Sequence, residues 1–287
     1  MGVLAGTRSG LTDVVAGGVV GFAGRDVTAL SGPWAVLDGH VVARRDGPEV
    51  KGDASLTCVA GEPGGTALAG AAGGHLFRAG GHDLATLPSF EDAPGRSEWY
   101  TPWGGPPDTR SVAVAGDGTA LVNVHVGGIL RSTDGGRTWS PTIDLHADVH
   151  QVLALDGGRA LAACAVGLAA SADGGATWEV EADGLHATYA RSVALAGATV
   201  LVGVSTGPGG SLAALYRRPF AGGTLARCAG GLPDDLGGNV DTFRLAGGPD
   251  GTAAVALADG DVWLSRDEGV TWERLANVPG VRCLTLV

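Results

Sequence analysis

The chain has 287 residues, a formal net charge of −11 and Lys51 as its single lysine. A polyanion-binding surface needs clustered Lys and Arg, so this composition excludes general nucleic-acid binding and argues against docking on an anionic membrane. Hydrophobic residues make up 45%, enough for a substantial core, and the 51 glycines follow no collagen-like period, so they read as turns between many short strands.

In chain order, the start "MGVLAGTRSGL" has no cationic flank ahead of an apolar run, and no apolar stretch reaches the length of a membrane span. Neither a secretion signal nor a transmembrane helix is expected, and a cytoplasmic location is the default. Six similar stretches follow. They are "DVTALSGPWAVLDGHVVARRDG" from Asp26, "SLTCVAGEPGGTALAGAAGGHLFRAGG" from Ser55, "RSVAVAGDGTALVNVHVGGILRSTDGG" from Arg110, "QVLALDGGRALAACAVGLAASADGG" from Gln151, "RSVALAGATVLVGVS" from Arg191 and "DTFRLAGGPDGTAAVALADGDVWLSRDEG" from Asp241. Each reads as strand, Gly-rich turn, strand, tight turn, strand. The C-terminal "VRCLTLV" matches a first strand, and the N-terminus matches a second and a third, so the two ends make a seventh unit. The predicted units cover 1–13 with 281–287, 26–51, 55–85, 110–140, 151–179, 191–226 and 241–273 of one domain. Seven units of about 41 residues have the size of four-stranded propeller blades. The expected fold is an all-β, seven-bladed β-propeller whose closing blade is shared between the N- and C-termini, which leaves no open sheet edge.

Three units end in the octet S-x-D-x-G-x-T-W, beginning at Ser132, Ser171 and Ser265. A decayed copy begins at Arg218, keeps Gly222 and Thr224, and has Leu225 in place of the tryptophan. Asp134, Asp173 and Asp267 can accept backbone N–H bonds inside a tight turn, and Trp139, Trp178 and Trp272 are expected to anchor one blade to the next. Placed between the third and fourth strands, this octet resembles the Asp-box, or BNR repeat, of sialidases, sortilin-type receptors, some glycoside hydrolases and photosystem II assembly factors. The resemblance implies the propeller fold and does not select among those functions. The octets are read as hairpin staples. In a four-stranded meander they lie on one face, which directs the search for a ligand site to the other.

On that other face, equivalent positions at the entry of each first strand are Asp26, Ser55, Arg110, Gln151, Arg191, Asp241 and Arg282. Arg110, Arg191 and Arg282 offer planar forks for a carboxylate or phosphate, with Gln151 beside them. "SEWYTPW" adds Trp99, Tyr100 and Trp103 in a long loop, a length that often carries function. "GLHATYAR" brings His186 and Tyr189 towards Arg191. "DLHADVHQ" places Asp144, His146, Asp148 and His150 at alternate positions. If extended, all four project to one side, as an O/N-ligand metal would need. His125, just before a turn between second and third strands, points to the same mouth. No cofactor is expected beyond that conditional metal. Cys58, Cys164, Cys228 and Cys283 form no CxxC pair and read as buried free thiols.

Sialidases use three arginines, a tyrosine nucleophile with a glutamate partner, and an aspartic acid. The chain has no Arg-Ile-Pro motif near its N-terminus, and only Glu98 stands close to a candidate tyrosine, so sialidase activity is not expected. Besides a purely structural interaction disc, two readings stay open. One is a non-catalytic propeller that binds a small anionic or polar ligand, or a protein partner, over the Arg-bearing mouth. The other is an enzyme, hydrolase- or lyase-like, acting there on an anionic or sugar-like substrate, with Tyr189, His150, Asp241 and Asp26 as candidate catalytic groups.

Overall fold

A computed structural model describes residues 2–287. It contains seven four-stranded antiparallel sheets, and the fold is a seven-bladed β-propeller. Blade 1 joins the C-terminal strand Cys283–Leu286 to Val3–Thr7, Gly10–Asp13 and Val19–Gly21. The closing blade is thus built from both ends of the chain, with Val3 opposite Leu286 and Gly6 opposite Cys283. Blade 2 comprises Val27–Ser31, Trp34–Leu37, Val41–Arg44 and Glu49–Lys51; blade 3 comprises Leu56–Gly61, Ala67–Ala71, His75–Gly80 and Asp83–Thr86. Blade 4 comprises Thr109–Val114, Ala120–Val124, Gly128–Ser132 and Ser140–Pro141; blade 5 comprises Val149–Leu155, Arg159–Cys164, Gly167–Ser171 and Glu179–Glu181. Blade 6 comprises Tyr189–Ala196, Thr199–Ser205, Ala214–Pro219 and Ala226–Arg227; blade 7 comprises Leu245–Gly247, Ala253–Ala256, Asp261–Ser265 and Glu273–Asn277.

The chain divides into two compact units. The first gathers the chain up to Val27 with Ala163–Leu168 and Glu181–Val287; the second gathers Thr28–Ala162 and Ala169–Val180. In both, the second strands are short, mostly apolar runs buried on both faces, such as Ala67–Ala71 and Ala253–Ala256, which is why they read as nearly continuous apolar segments.

A small-residue pairing recurs where first and second strands meet. Cys58 faces Gly70, Ser111 faces Asn123, Ser192 faces Gly203 and Cys283 faces Gly6. A Cβ at Gly70 would come within 2.5 Å of Cys58 Sγ and of Thr109 Cγ2, so the glycine is set by the neighbouring blade. Cys58 Sγ donates to Thr109 O, and Ser111 Oγ accepts from Val152 N at 2.9 Å. The cysteines serve as small core residues: all four are free and buried, and burial pushes the thiols of Cys58, Cys228 and Cys283 up to about 12.

The three octets share one hydrogen-bond pattern. Asp134 Oδ1 accepts from Ser132 Oγ and from the backbone N–H of Arg137 and Thr138, and Oδ2 accepts from Thr138 Oγ1. Asp173 and Asp267 repeat the two serine and threonine hydroxyl bonds and the threonine backbone bond. Each octet is also tied to an earlier blade by an arginine that the sequence did not single out. Arg78 donates to Gly135 O, Arg131 to Gly174 O and Arg217 to Glu268 O, the same octet position each time. The third octet holds Glu268 at φ 57 where the others use glycine, and Thr199 donates its hydroxyl to the Glu268 carboxylate.

Arg218 inverts the pattern in the decayed copy. Arg218 takes the position of the octet's serine, and with Phe220 in place of the aspartate it donates to the turn carbonyls of Pro219 and Phe220. Its charge is met by Glu181, and Leu225 is buried in the tryptophan's place.

The threonine hydroxyls, and then the backbone N–H groups, hold the Asp134 and Asp173 carboxyls well below the usual carboxylate range, and Asp267 is lowered to about 2. A depressed folded-state value stabilises the fold above the unfolded value of about 3.9, and that stability is lost as pH falls through the folded values. A triple variant, Asp134→Asn with Asp173→Asn and Asp267→Asn, is therefore expected to melt below the parent near neutral pH. The gap should begin to narrow below about pH 4 and keep shrinking as the pH falls further, because two of the three folded values lie well under it. Thermal melts followed by circular dichroism from neutral pH into the acid range test this; a gap that does not shrink with falling pH contradicts the account.

Candidate functional site

The mouth positions belong to the two units and are described separately. In the first unit, the first strand of blade 6 bulges between Ala190 and Ser192, which leaves Arg191 as the extra residue. A bulge re-aims the side chain it carries. Arg191 Nη1 lies 3.1 Å from Asp241 Oδ1, and Arg244 Nη1 lies 3.7 Å from Asp241 Oδ2. Arg282 Nη2 meets Asp26 Oδ2 at 3.0 Å. The backbone joins these pairs, because Leu284 N donates to Phe243 O at 2.8 Å. Asp26, Arg244 and Arg282 all act electrostatically on the Cys283 thiol. Arg191 and Arg282 therefore do not stand as bare forks, and sequence reasoning missed Arg244. Its signal was an arginine three residues after an aspartate at a strand entry.

Three guanidiniums face two carboxylates here, and the Nε atoms of Arg191, Arg244 and Arg282 are buried without a hydrogen-bond acceptor. Buried N–H donors of this kind call for water or a ligand oxygen. His186 is held aside from the cluster: its ring stacks on Tyr216, whose hydroxyl lies 2.8 Å from His186 Nδ1. Tyr189 opens the first strand of blade 6 and is half-buried. Asp26 and Asp241, the paired-carboxylate candidates, are each engaged by a guanidinium.

In the second unit, Arg110 is the extra residue of an equivalent bulge between Thr109 and Ser111. Blade 3 bulges between Leu56 and Cys58, so Thr57 and not Ser55 is the counterpart of Arg110 and Arg191. The glycine that marks the strand end differs instead: Gly61 lies within its strand, opposite Ala67, while Gly116 and Gly197 lie in the turns beyond theirs. Gln151 is buried in the first strand of blade 5.

The segment from Asp144 to His150 departs from the extended form that a metal site required. Asp144 caps a 3-10 turn over Leu145–Ala147 by accepting from His146 N, and Asp148 is left-handed at φ 47. Of the four side chains only Asp148 and His150 stay together. His146 Nδ1 lies 3.5 Å from the Tyr100 hydroxyl. Asp148 turns inward between two imidazoles, at 3.2 Å from His125 Nε2 and 3.6 Å from His150 Nε2. Burial pushes the Asp148 carboxyl up, but the two imidazoles of His125 and His150 beside it outweigh that and hold the carboxyl below its usual range. Among the described residues, no three His, Cys, Asp or Glu side chains gather as a metal would require.

The aromatic loop also divides. Trp99 is only 8% exposed. It packs on Phe90 at 5.6 Å and under the Arg96 guanidinium at 5.0 Å, so it is an anchor and not a ligand contact. Trp103 is 74% exposed and Tyr100 41%, and Trp103 lies 4.7 Å from the His125 ring.

These observations define the class as a propeller carrying Asp-box hairpins. The model of the BNR/Asp-box repeat matches residues 130–141, the octet of blade 4. No curated protein matches the sequence. Among solved structures, the chain is similar to YCF48 bound to D1 peptide, with a TM-score of 0.54 and 16% identity over 87% of this chain and 75% of that one. It is similar to the GH74 xyloglucanase from Xanthomonas campestris, with a TM-score of 0.60 and 16% identity over 86% of this chain, which spans 45% of that one. It is also similar to the computationally designed Ika8 protein, with a TM-score of 0.59 and 13% identity over 90% of this chain and 75% of that one. At these identities the likeness establishes the fold alone. No helix among the described residues is long and apolar enough to cross a membrane.

Proposed function

We propose that this propeller is a non-catalytic binding module that receives a carboxylate of a protein partner at the Arg191–Arg244–Arg282 cluster. The observation that carries this reading is the set of three buried guanidinium N–H groups without acceptors beside only two carboxylates. A guanidinium fork suits a carboxylate in two parallel hydrogen bonds, and a local surplus of positive charge within a chain of net charge −11 concentrates attraction for an anion at that cluster. One structural neighbour, YCF48, is bound to a peptide, which is the kind of partner this reading requires. The enzyme reading needs free acid and base groups, and Asp26 and Asp241 are engaged by arginines.

The test uses peptides of one sequence with either a free or an amidated C-terminus, titrated by calorimetry. Arg191→Lys with Arg244→Lys keeps the charge and removes the forks. Binding of the free-carboxylate peptides is expected to fall about tenfold or more in this variant, the cost of losing a charged, fork-geometry hydrogen bond, with the melting temperature nearly unchanged. If the parent protein does not distinguish free from amidated termini, the proposal is wrong.

A further inference from the structure

Every large aromatic side chain but two is buried or half-buried. Of seven tryptophans, three tyrosines and five phenylalanines, only Tyr100 and Trp103 are exposed among the described residues. They stand three residues apart on one loop, and that loop is braced. Arg96 donates to Glu91 and to Gly74 O, Phe90 holds Trp99 from below, and Tyr100 N donates to Val126 O. Beneath Trp103 lies His125, tied to Asp148. Both supporting turns are strained: Val126 has φ 38 and Asp148 φ 47. A β-branched residue in that region is a true outlier and marks a segment whose shape is imposed by its surroundings. A rigid loop that presents a tryptophan and a tyrosine to solvent has the composition of an interface hot spot.

The charges around the pair select the partner. The loop of residues 87–108 and the turn of 144–150 carry Glu91, Asp92, Glu98, Asp108, Asp144 and Asp148 against one arginine. That arginine, Arg96, is consumed by Glu91 and by a backbone carbonyl. Glu98 and Asp144 are exposed, each two residues ahead of one member of the Tyr100–His146 pair. Aromatic faces flanked by carboxylates attract a cation through the ring quadrupole and through charge together, and a guanidinium stacks best on tryptophan. We infer that Trp103 and Tyr100, with Glu98 and Asp144 at their rim, form a docking surface for an arginine-bearing basic segment of a protein partner. This surface is built by the second unit alone, and its failure would leave the arginine-cluster proposal untouched.

The experiment uses the full chain and two fluorescein-labelled peptides, one alternating Gly and Arg, the other alternating Gly and Glu, read by anisotropy at low and moderate salt. The Arg peptide is expected to bind and the Glu peptide not. Trp103→Ala should weaken Arg-peptide binding about tenfold, Trp103→Phe should weaken it less, and Glu98→Gln with Asp144→Asn should reduce both affinity and its salt dependence. Trp103 is exposed, so its variants should melt with the parent. Equal binding of the two peptides overturns the proposal, and so does Arg-peptide binding that Trp103→Ala leaves unchanged.

Discussion

Phe90→Ala is expected to destabilise the protein by about 3–5 kcal/mol, the range for truncating a fully buried phenylalanine. Phe90 has no exposed surface and sits in the short helix Pro88–Glu91, which proline starts at its first position. Its ring lies 5.6 Å from Trp99 and 5.2 Å, edge to face, from Trp139. One side chain therefore links the aromatic loop to the octet of blade 4, and two large rings cannot collapse into the space it leaves. Trp139 is held a second time by its Nε1–H bond to Ser89, so the octet should survive while the loop above loosens. Denaturant melts would measure the cost. Proteolysis between Pro94 and Pro107 should accelerate in the variant, and a loss under about 1 kcal/mol would show that the cavity refills.

Arg218→Ala should cost about 2–3 kcal/mol. Arg218 is 2% exposed, and its removal strands the Glu181 carboxylate and the carbonyls of Pro219 and Phe220. Breaking a fully buried pair from one side costs 3–5 kcal/mol. The lower range applies because Glu181 keeps about a third of its side chain in water and can rehydrate. Replacing both partners, Arg218→Met with Glu181→Leu, should recover much of the loss, since no charge is then left unpaired. Thermal and urea unfolding of the two variants decide it. If the double variant is no better than the single one, the charge pair is not the source of the effect.

The positions of the octets in the chain made the blade register readable. A turn of Asp, Gly and Thr closes through its own hydrogen bonds, so Ser132, Ser171 and Ser265 announce the same local structure wherever they occur. Even the decayed copy could be placed, because Gly222, Thr224 and Leu225 keep its spacing. Register was readable to within two residues: Thr57 stands where Ser55 was expected, because Gly61 lies inside its strand while Gly116 and Gly197 lie in the turns after theirs, a difference the apolar pattern does not mark.

The candidate sites were legible as parts and not as assemblies. Arg191, Arg282, Asp26 and Asp241 were recognisable as unusual charges at strand entries, yet their partners come from strands far apart in the chain, Arg282 with Asp26 across 256 positions. Trp99, Tyr100 and Trp103 look alike in sequence, and only packing against Phe90 and Arg96 makes the first an anchor while leaving the others to solvent. Asp144, His146, Asp148 and His150 alternate as an extended strand would, but the Asp144 cap and the left-handed Asp148 leave only Asp148 and His150 side by side. The sequence by itself determined the blades, their number and the closure by both termini, because periodic turns and apolar strands act over a few residues. Which charges neutralise one another, and which aromatic side chains meet water, was decided by the tertiary structure, because both depend on contacts between residues the chain holds far apart.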